Sequence, residues 1–491
     1  MDAKALLFSL AIIFSPLIVF LISNNRRKAC NPPGPFSWPI VGNLFQIDPK
    51  KPHISLAKLA ESYGPVMTIK LGSRHIIVAS SPAAAKEIYK THDGDLTGRY
   101  VPQMAQYSPD FQTSAIAVSD KCTKNWRLLR GILHSSLFTS KALESHSEIR
   151  LEKTRDMLGF FKSRNGEKVN FTDVIYATIV NTWTRLFVSE EIIKSWEEVG
   201  EIRDITRKLV EFAIPGLFDL FPALSCLSFF GKKKIDDSLE ASRKIWGEII
   251  QKRRDEKKQM GDYLDVLINN SFNDNQICNH FNELLSTAET VTIAVEWAMA
   301  ELVKNQDSFA TLRKELEKAV DEGGVLQERQ LSKLPYLQAV IKEALRLHPP
   351  TPLFLPRSAI QSCQVMNYEI PKDCLVLVNF YTLATDPTFW EDPLSFKPER
   401  FMGNNNLDVK GTNYQVLPFG AGRRICSGIP LAIQEMQLLI AAAVLGFNWS
   451  LPCGKDPSQL DMAEYFGTTL GLENPLQLIP NTKYEFKMEG Y

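Results

Sequence analysis

The chain has 491 residues, of which 44% are hydrophobic and 23% charged, and this composition excludes wholesale disorder, collagen-like repeats and a polytopic membrane protein. Its 56 Lys and Arg balance its 56 Asp and Glu, so no basic excess favours nucleic acid, and a small molecule or protein is the favoured partner. The 8 cysteines are scattered without close pairing, which indicates a reducing compartment and no Cys-x-x-Cys metal site.

The first element in chain order is an uncharged apolar segment, residues 5–23, which is long enough to cross a bilayer once. Arg26, Arg27 and Lys28 follow it, and the positive-inside rule places the rest of the chain on the cytosolic side. The alternative is a cleaved signal peptide, but no small-x-small cleavage site precedes the basic cluster. We therefore predict a single-pass membrane anchor with its basic flank at 1–29.

A proline-rich segment, residues 31–39, follows the anchor. Its prolines forbid helix and favour a stiff extended hinge, although a generic proline-rich linker is the alternative. After residue 45 there is no internal repeat and no linker long enough to separate folded domains. Residues 30–491 are therefore predicted to form one large domain.

Apolar residues at three- and four-residue spacing predict the main helices of this domain. They cover 199–212, 239–258, 274–304, 306–322, 333–347 and 431–445. Short runs rich in β-branched residues predict strands at 66–71, 75–79 and 375–379. The predicted fold class is mainly α with a small β-sheet near each end.

The strongest local pattern is the loop 418–430, which leads directly into the last predicted helix. Glycines at 420, 422 and 428 let the backbone turn tightly around Cys426, and the following helix start surrounds the sulfur with free N–H groups. These groups and the helix dipole favour the thiolate, the form that binds metal. Arg424 is placed to neutralise an anionic group on a bound cofactor, whereas a lone cysteine is otherwise usually a small buried hydrophobe.

With Phe419, Gly422, Arg424, Cys426 and Gly428 at the expected places, this loop resembles the haem-binding signature of the cytochrome P-450 superfamily. The resemblance implies the cytochrome P-450 fold, haem b with the Cys426 thiolate as proximal iron ligand, and monooxygenase activity that uses O2. It also implies electrons from NADPH, delivered by NADPH-cytochrome P-450 reductase, a separate flavoprotein. The anchor and hinge resemble those of microsomal members, which implies the endoplasmic reticulum membrane with the catalytic domain in the cytosol.

Further motifs of the resemblance occur in order along the chain. Trp126 and Arg130 resemble the helix pair that approaches the haem propionates, and Arg357 resembles the strand arginine that reaches the other propionate; Phe419 and Arg424 are added to this cofactor-binding set. Outside the family pattern, Trp126 and Arg130 would be a core aromatic residue with a solvated neighbour.

Glu343 and Arg346 resemble the family's Glu-x-x-Arg helix, and Arg400 resembles the arginine that closes a buried ion network with it. Taken alone, Glu343 and Arg346 would form an ordinary surface salt bridge, since residues three apart are neighbours on a helix. As a network they carry no catalysis, and their disruption is expected to impair haem retention.

The segment 296–300 aligns with plant members and thereby places Glu289 and Thr290 at the acid and alcohol positions of the distal helix. The resemblance implies that these two catalytic residues relay protons from water to dioxygen. The alternative is that the Thr290 hydroxyl bonds only to the Ser286 carbonyl one turn back.

Three neighbouring positions depart from the family pattern. Ser286 and Thr287 replace the usual small residue and glycine, and Val291 replaces a second alcohol. Because Thr287 is β-branched, we expect a narrowed or reshaped oxygen groove. This departure favours members that divert the oxidised substrate into rearrangement or coupling, or that handle no dioxygen at all.

The segments that line the pocket in this superfamily are rich in aromatic and aliphatic residues here, which implies an apolar, aromatic substrate, although many of them could be plain core residues. The predicted pocket residues are Tyr100, Met104, Tyr107, Phe111, Phe212, Ser286, Thr287, Phe354, Leu355 and Leu470.

The segments 264–268, 275–278 and 363–366 resemble the plant branch that contains berbamunine synthase and littorine mutase, which act on benzylisoquinoline and tropane alkaloids. If the substrate is an alkaloid ammonium, Asp110 or Glu211 is the predicted counter-ion, although each is otherwise a solvated surface acid.

The predicted function is oxidation of an apolar plant specialised metabolite, such as an alkaloid, by hydroxylation, oxidative coupling, or a rearrangement like that of littorine to hyoscyamine aldehyde. One rival is a reductase-independent haem isomerase or dehydratase on the same fold, which the altered Ser286 and Thr287 groove favours. A second rival is a haem-binding scaffold without turnover, and the intact Glu289 and Thr290 pair argues against it.

Overall fold

The computed structural model describes residues 31–108, 110–211, 214–227, 229–403, 407–483 and 485–490. The predicted membrane anchor and basic flank at 1–29 lie outside the described residues. The predicted hinge at 31–39 is described, and it runs without helix from residue 32 to residue 37.

Most of the described chain is helical. The α-helices are α1 (Pro52–Tyr63), α2 (Pro82–Lys86), α3 (Phe111–Ser114), α4 (Lys124–Leu133), α5 (Ser140–Ser145), α6 (Ser147–Ser163), α7 (Phe171–Val188), α8 (Trp196–Glu211), α9 (Leu217–Leu220), α10 (Phe229–Glu256), α11 (Tyr263–Asn269), α12 (Asp274–Ser286), α13 (Ala288–Lys304), α14 (Gln306–Ala319), α15 (Glu328–Leu331), α16 (Pro335–Leu347), α17 (Phe380–Thr385) and α18 (Ile429–Gly446). Side-chain caps fix several starts, as where Asn273 and Gln276 exchange hydrogen bonds of 2.9 and 3.0 Å at the start of α12.

The strands are short and form small sheets. They are β1 (Val66–Leu71), β2 (Arg74–Ala79), β3 (Gly98–Arg99), β4 (Val169–Asn170), β5 (Val325–Gln327), β6 (Arg357–Ser358), β7 (Cys363–Val365), β8 (Tyr368–Ile370), β9 (Leu375–Val378), β10 (Phe447–Ser450), β11 (Glu464–Phe466), β12 (Leu470–Leu472), β13 (Gln477–Thr482) and β14 (Lys487–Glu489). The largest sheet has the order β1-β2-β9-β6-β3, and a second has the order β10-β13-β4.

The mainly helical fold with small sheets in one domain agrees with the prediction, but two details differ. The predicted helix 274–304 is divided at Thr287 into α12 and α13. The three predicted strands belong to one sheet, because β9 from the second half of the chain pairs in parallel with β2 from the first half. Residue spacing alone does not show this pairing, since it brings together residues about 300 positions apart.

The helical core surrounds α13 and α18. Every residue of α13 except Thr290 and Lys304 is buried, and α13 packs against α7, α16 and α18. In the described residues, α18 is the one helix long and apolar enough to cross a membrane, yet 83% of it is buried inside the protein. A helix that is apolar on all sides and packed by protein is a core element.

The His348 side chain, just after α16, connects three elements. Its ring stacks on Trp297 of α13 with centroids 3.9 Å apart, and its Nε2 lies 2.7 Å from Oε1 of Glu301. Its Nδ1 lies 3.8 Å from Oε1 of Glu464 in β11. Burial alone would lower the pKa of His348, but the two carboxylates outweigh burial and raise the pKa above its ordinary 6.5.

We expect the His348→Gln variant to be less stable than the wild type by about 2 kcal/mol in free energy of unfolding below pH 6.5. A histidine whose pKa is raised by folding stabilises the fold fully below its unfolded-state pKa, and this contribution is lost as the pH rises through the raised folded-state value. Thermal unfolding of both proteins at a series of pH values measures the gap. The exposed His134, changed to Gln, is the matched control, and a gap independent of pH would contradict the prediction.

Candidate active site

The loop before α18 wraps the backbone around Cys426. Gly422 has φ +72°, and a Cβ at this position would lie 2.3 Å from Oδ1 of Asp93, so a larger residue cannot be accommodated. The Cys426 N–H donates to the Phe419 carbonyl at 3.0 Å. Burial raises the pKa of the Cys426 thiol, and hydrogen bonds from the backbone of Gly428 and Ile429 with the charge of Arg130 oppose this rise only in part.

Cys426 faces a cavity of about 320 Å³, which we call the first cavity. The Cys426 side chain keeps accessible surface although protein surrounds it, because that surface borders the cavity. Most of the wall is apolar and includes Leu133, Leu137, Phe138, Leu284, Val291, Ala294, Leu345, Phe354, Leu355, Phe419, Leu431 and Met436. Such a site accepts an apolar group that contacts the sulfur atom of Cys426.

Arginines from four parts of the chain line the first cavity, and we call them the cavity arginines. They are Arg99, Arg130, Arg357 and Arg424. The Arg424 guanidinium donates to three backbone carbonyls and lies 4.8 Å from the centre of the Trp126 ring. Arg130 donates to the Ile425 carbonyl at 2.6 Å. The indole N–H of Trp126 donates to Ile116, and Trp126 is not part of the cavity wall.

Arg357 is the cavity arginine with an acidic partner. Its Nη1 lies 2.8 Å from Oδ1 of Asp93, and its Nη2 donates to the Ala421 carbonyl at 2.8 Å. Its Nε is buried and has no hydrogen-bond partner among the described residues. A buried donor without an acceptor is costly, so an acceptor on a bound group would be stabilising here.

Arg99 was not found by sequence reasoning. It pairs with Arg357 across the β3 and β6 ladder, and its Nε donates to the Ala117 carbonyl at 3.2 Å. Burial, together with the like charges of Arg357 and Arg424, lowers the pKa of Arg99 to about 9. A pKa this low indicates a cation that lacks an anionic neighbour, and an anionic ligand would restore it. Only the tertiary pairing of β3 with β6 brings Arg99 to the cavity.

The break between α12 and α13 is held by side-chain hydroxyls. The Thr287 hydroxyl donates to the Leu284 carbonyl at 2.6 Å, and the Ser286 hydroxyl donates to the Asn282 carbonyl at 2.6 Å. Hydroxyls that bond back to the preceding turn bend helices, so these two residues maintain the bend without a glycine. A narrowed or reshaped oxygen groove beside Thr287 stays a prediction.

Glu289 and Thr290, the predicted proton relay, have different partners. The Glu289 carboxylate accepts both arms of Arg203 from α8 at 2.9 and 3.0 Å, and a further bond from Arg207 at 2.6 Å. Burial would raise the pKa of Glu289, but the two arginines outweigh it and lower the pKa. The Thr290 hydroxyl donates to the Thr287 carbonyl at 2.7 Å. The alternative to the proton relay was such a bond to a preceding carbonyl, but with Ser286 as the acceptor.

The Glu343, Arg346 and Arg400 side chains form one hydrogen-bonded cluster. Arg346 donates Nε and Nη2 to the two oxygens of Glu343 at 2.7 and 2.8 Å, and Arg400 Nε donates to Oε1 at 3.0 Å. Glu343 and Arg346 are completely buried. The geometry is that of a buried network, not of a surface salt bridge.

A second cavity, of about 230 Å³, adjoins the first and is bounded by α8, α10 and α12. The two cavities share wall residues, namely Ala117, Glu283, Thr287, Thr290, Thr351 and Leu355. A ligand in the second cavity therefore reaches the space in front of Cys426 past Thr287 and Thr290.

Five predicted pocket residues line these cavities and two do not. Phe354 lines the first cavity, Met104 and Ser286 the second, and Thr287 and Leu355 both. Tyr100 and Leu470 line neither of these two cavities, and a place for them in the substrate pocket stays a prediction. The Tyr100 hydroxyl instead donates to Asp219, and the Leu470 carbonyl accepts from the Trp297 indole in the core. Phe212 lies outside the described residues, as do the side chains of Tyr107 and Phe111.

The predicted counter-ions also lie elsewhere. Asp110 and Glu211 are exposed, and neither lines a cavity within the described part of the chain. The acids at the cavity walls are Glu283 and Glu289. Glu283 was missed because the pattern at the end of α12 shows only an acid among apolar residues, without indicating the cavity.

The sequence profile of the Cytochrome P450 family matches residues 32–478 of this chain. The chain belongs to the cytochrome P-450 family. The predicted family, its haem cofactor with a cysteine thiolate ligand, and its monooxygenase activity are thereby confirmed. The matched range coincides with the single domain that contains both cavities.

Similar proteins include three plant members of the cytochrome P-450 family. The probable (S)-N-methylcoclaurine 3'-hydroxylase isozyme 2 of Coptis japonica is 42% identical over 94% of this chain and 96% of its own length. The (S)-N-methylcoclaurine 3'-hydroxylase isozyme 1 of Papaver somniferum is 40% identical over 97% of this chain and its full length. Corytuberine synthase of Coptis japonica is 36% identical over 98% of this chain. These names support the predicted likeness to plant enzymes of alkaloid metabolism.

Proposed function

We propose that this cytochrome P-450 is a membrane-anchored monooxygenase that oxidises an alkaloid of plant specialised metabolism at Cys426-bound haem. The observation that carries the proposal is the position of Cys426, which faces a cavity that holds four arginines and adjoins a second cavity. A haem requires a thiolate ligand and positive charge for its propionates, and an apolar substrate requires an adjoining apolar space. Cys426, the cavity arginines and the second cavity provide these features.

The residues around the first cavity fit haem b. Cys426 would supply the sulfur ligand, and the cavity arginines would supply positive charge for the two propionates. The partnerless Nε of Arg357 is a donor that a propionate oxygen would satisfy. Phe419 and the other apolar wall residues would contact the ring. When bound, haem supplies the activation of dioxygen that oxidises the substrate.

The chain's own part in catalysis is to position the substrate and to deliver protons. Thr290 lines both cavities. Its hydroxyl donates to the Thr287 carbonyl, and the hydroxyl oxygen can still accept a hydrogen bond. Glu289 lines the second cavity, where its carboxylate is paired with Arg203 and Arg207, and in this proposal it is the acid that exchanges a proton with water.

We expect Glu289→Gln to lower the product formed per NADPH oxidised by about tenfold or more, because an amide cannot carry the proton. The variant also leaves Arg203 without its acid, so turnover is normalised to the haem content. The measurement is product against NADPH oxidised, in water and in deuterium oxide. Glu201→Gln, at an exposed acid of α8 that lines neither cavity, is the control. Unchanged coupling in Glu289→Gln would remove Glu289 from the relay.

The substrate proposal rests on the cavities and on the relatives. The second cavity takes aliphatic side chains from α8 and α10, including Leu209, Val210, Ile235 and Leu239. The relatives are named for the hydroxylation of N-methylcoclaurine and for corytuberine synthesis. Hydroxylation, oxidative coupling and rearrangement of an alkaloid all suit this space, and the position of the substrate carbon selects among them.

Membrane attachment is supported by an apolar face on the described domain. Ile40 and Phe45 are 78% and 83% exposed, and Leu217 of α9 is 57% exposed. The two segments flank the β1 and β2 turn, because Gly42 bridges to Leu71 and Ser73 donates to the Leu220 carbonyl. Together with the anchor at 1–29, this face would hold the domain against the endoplasmic reticulum membrane from the cytosolic side. NADPH-cytochrome P-450 reductase would supply electrons at the same membrane.

The experiment that tests the function combines the full-length protein in membranes with the reductase, NADPH and a panel of benzylisoquinoline and tropane alkaloids. We expect NADPH and oxygen to be consumed, and an oxidised product to form, with particular alkaloids only. Conversion that proceeds without NADPH would instead establish the isomerase function. Absence of conversion with every alkaloid, in protein with intact haem, would overturn the substrate proposal.

A further inference from the structure

Glu283 occupies the last turn of α12, on the helix face that borders both cavities. Residues four and seven positions apart share a helix face, and Thr287 and Thr290, at these spacings from Glu283, also line both cavities. Glu283, Thr287 and Thr290 therefore lie together along the boundary between the two cavities. A ligand that extends from the second cavity towards Cys426 must pass it.

The contacts of Glu283 leave part of its carboxylate available. Its two oxygens accept the Ile116 N–H at 2.8 and 3.0 Å, and Oε1 also accepts the Ala117 N–H. A carboxylate has about four lone-pair positions, so two backbone donors do not exhaust it. The side chain retains 17% of its accessible surface, and both cavities border it.

No lysine or arginine among the described residues forms an ion pair with Glu283. The other acid of the cavity walls, Glu289, is neutralised by Arg203 and Arg207. The basic group nearest to Glu283 is His280, whose Nδ1 lies 3.9 Å away. Burial lowers the pKa of His280 to about 4, so this ring is neutral near pH 7. Arg424 acts on Glu283 from a distance and is already bonded to three carbonyls.

Burial also governs the charge of Glu283. It raises the pKa of Glu283 to about 7, against the hydrogen bonds from Ala117 and Ile116. The ionised form of Glu283 has no lysine or arginine paired with it among the described residues, and a buried charge without such a partner is unfavourable. A cation placed beside it would favour the ionised form and bind more strongly for that reason.

We propose that Glu283 recognises a protonated amine of the substrate, as an ammonium-to-carboxylate ion pair between the two cavities; this rests on the proposed oxidation of an alkaloid. The tertiary ammonium N–H donates to the carboxylate, while the apolar walls receive the rings. The pair fixes one end of the substrate beside Thr287 and so determines which carbon faces the haem. Glu283 is thus a specificity-determining residue.

The test uses full-length haem-loaded protein and two tertiary amines, N-methylcoclaurine and littorine. Each is compared with a neutral analogue in which a formyl group replaces the N-methyl group, so that size is nearly kept and the charge is removed. Binding is measured by the change in haem absorption and by calorimetry. The proteins are the wild type, Glu283→Gln, and Glu211→Gln as the control at an exposed acid of α8 that lines neither cavity.

We expect the wild type to bind at least one amine about tenfold or more tightly than its neutral analogue, and Glu283→Gln to lose this preference. Glutamine keeps a carbonyl oxygen for the Ile116 and Ala117 donors, so affinity for the neutral analogue should change little. Glu211→Gln should behave as the wild type. If Glu283→Gln weakened the binding of the amine and of its neutral analogue equally, Glu283 would act only as a tether for residues 116 and 117. Absence of any preference for the amine in the wild type would also overturn the proposal.

These outcomes are separable from those for the proposed function. Charge-selective binding that depends on Glu283, without NADPH-dependent product, would uphold Glu283 and reject the monooxygenase function for that amine. If the Glu283→Gln variant formed product and preferred the amine as strongly as the wild type does, the proposed function would be upheld and the role of Glu283 rejected.

Discussion

Cys426→Ala is expected to abolish the red-shifted band of the reduced carbon monoxide complex and all NADPH-dependent product. Cys426 is the cysteine whose side chain borders the first cavity in the described residues. Alanine removes the ligand but fits the loop, because the Cys426 N–H, which bonds to the Phe419 carbonyl, is retained. The loss of activity should exceed about a thousandfold, since a removed ligand cannot be replaced by a neighbouring side chain.

The measurement is the carbon monoxide difference spectrum, with circular dichroism to verify the fold. Cys278→Ala is the matched control, because Cys278 is buried in α12 and lines neither cavity. This control should keep the band and the activity. A Cys426→Ala protein that retained the thiolate band would remove Cys426 from the proposed site and leave the haem position unexplained.

Local patterns in the sequence carried the prediction of the Cys426 loop and of most helices. The loop is contiguous in the chain, so its glycines, its cysteine and the following helix are visible together. The helices at 306–322 and 333–347 correspond to α14 and α16, because one buried face produces a regular apolar spacing. The interruption at Thr287 was not predicted, since hydroxyl bonds to preceding carbonyls leave no trace in that spacing.

Tyr100 and Leu470, which line neither of the two cavities, each adjoin a residue that does. Adjacent residues of an extended chain point to opposite sides, so a segment can be correctly placed while the chosen residue faces away. Arg99 lines the first cavity while Tyr100 bonds to Asp219. Thr469 lines the second cavity while Leu470 is completely buried in the core. The composition of a segment does not show which of two adjacent side chains faces a cavity.

Partners that are distant in the chain were beyond the reach of the sequence. The Arg357 to Asp93 pair joins residues 264 positions apart, and the Arg203 to Glu289 pair joins residues 86 positions apart. Glu283 reaches residues 116 and 117 in the same way. Such pairs depend on tertiary packing, and a single sequence shows only the isolated charges.

Glu343→Ala is expected to destabilise the protein by about 3–5 kcal/mol and to prevent stable haem retention. The substitution leaves the Arg346 guanidinium completely buried without its acid, and it also removes the acceptor for Arg400 and for the Lys397 N–H. An uncompensated buried charge is more costly than the loss of the pair itself. Because Arg346 also donates to the Ala384 and Pro393 carbonyls, the damage spreads to the segment before the Cys426 loop.

The measurements are urea unfolding and the carbon monoxide band per mole of protein. Glu391→Ala, at an exposed acid of the same segment, should leave both unchanged. The double variant Glu343→Ala with Arg346→Leu separates the two possible causes, because it removes the acid and the arginine most strongly paired with it. If the buried charge is responsible, the double variant should be more stable than Glu343→Ala alone. If both variants lose the same stability and haem, the network acts through its hydrogen bonds to the backbone, and the charge of Glu343 has no separate role.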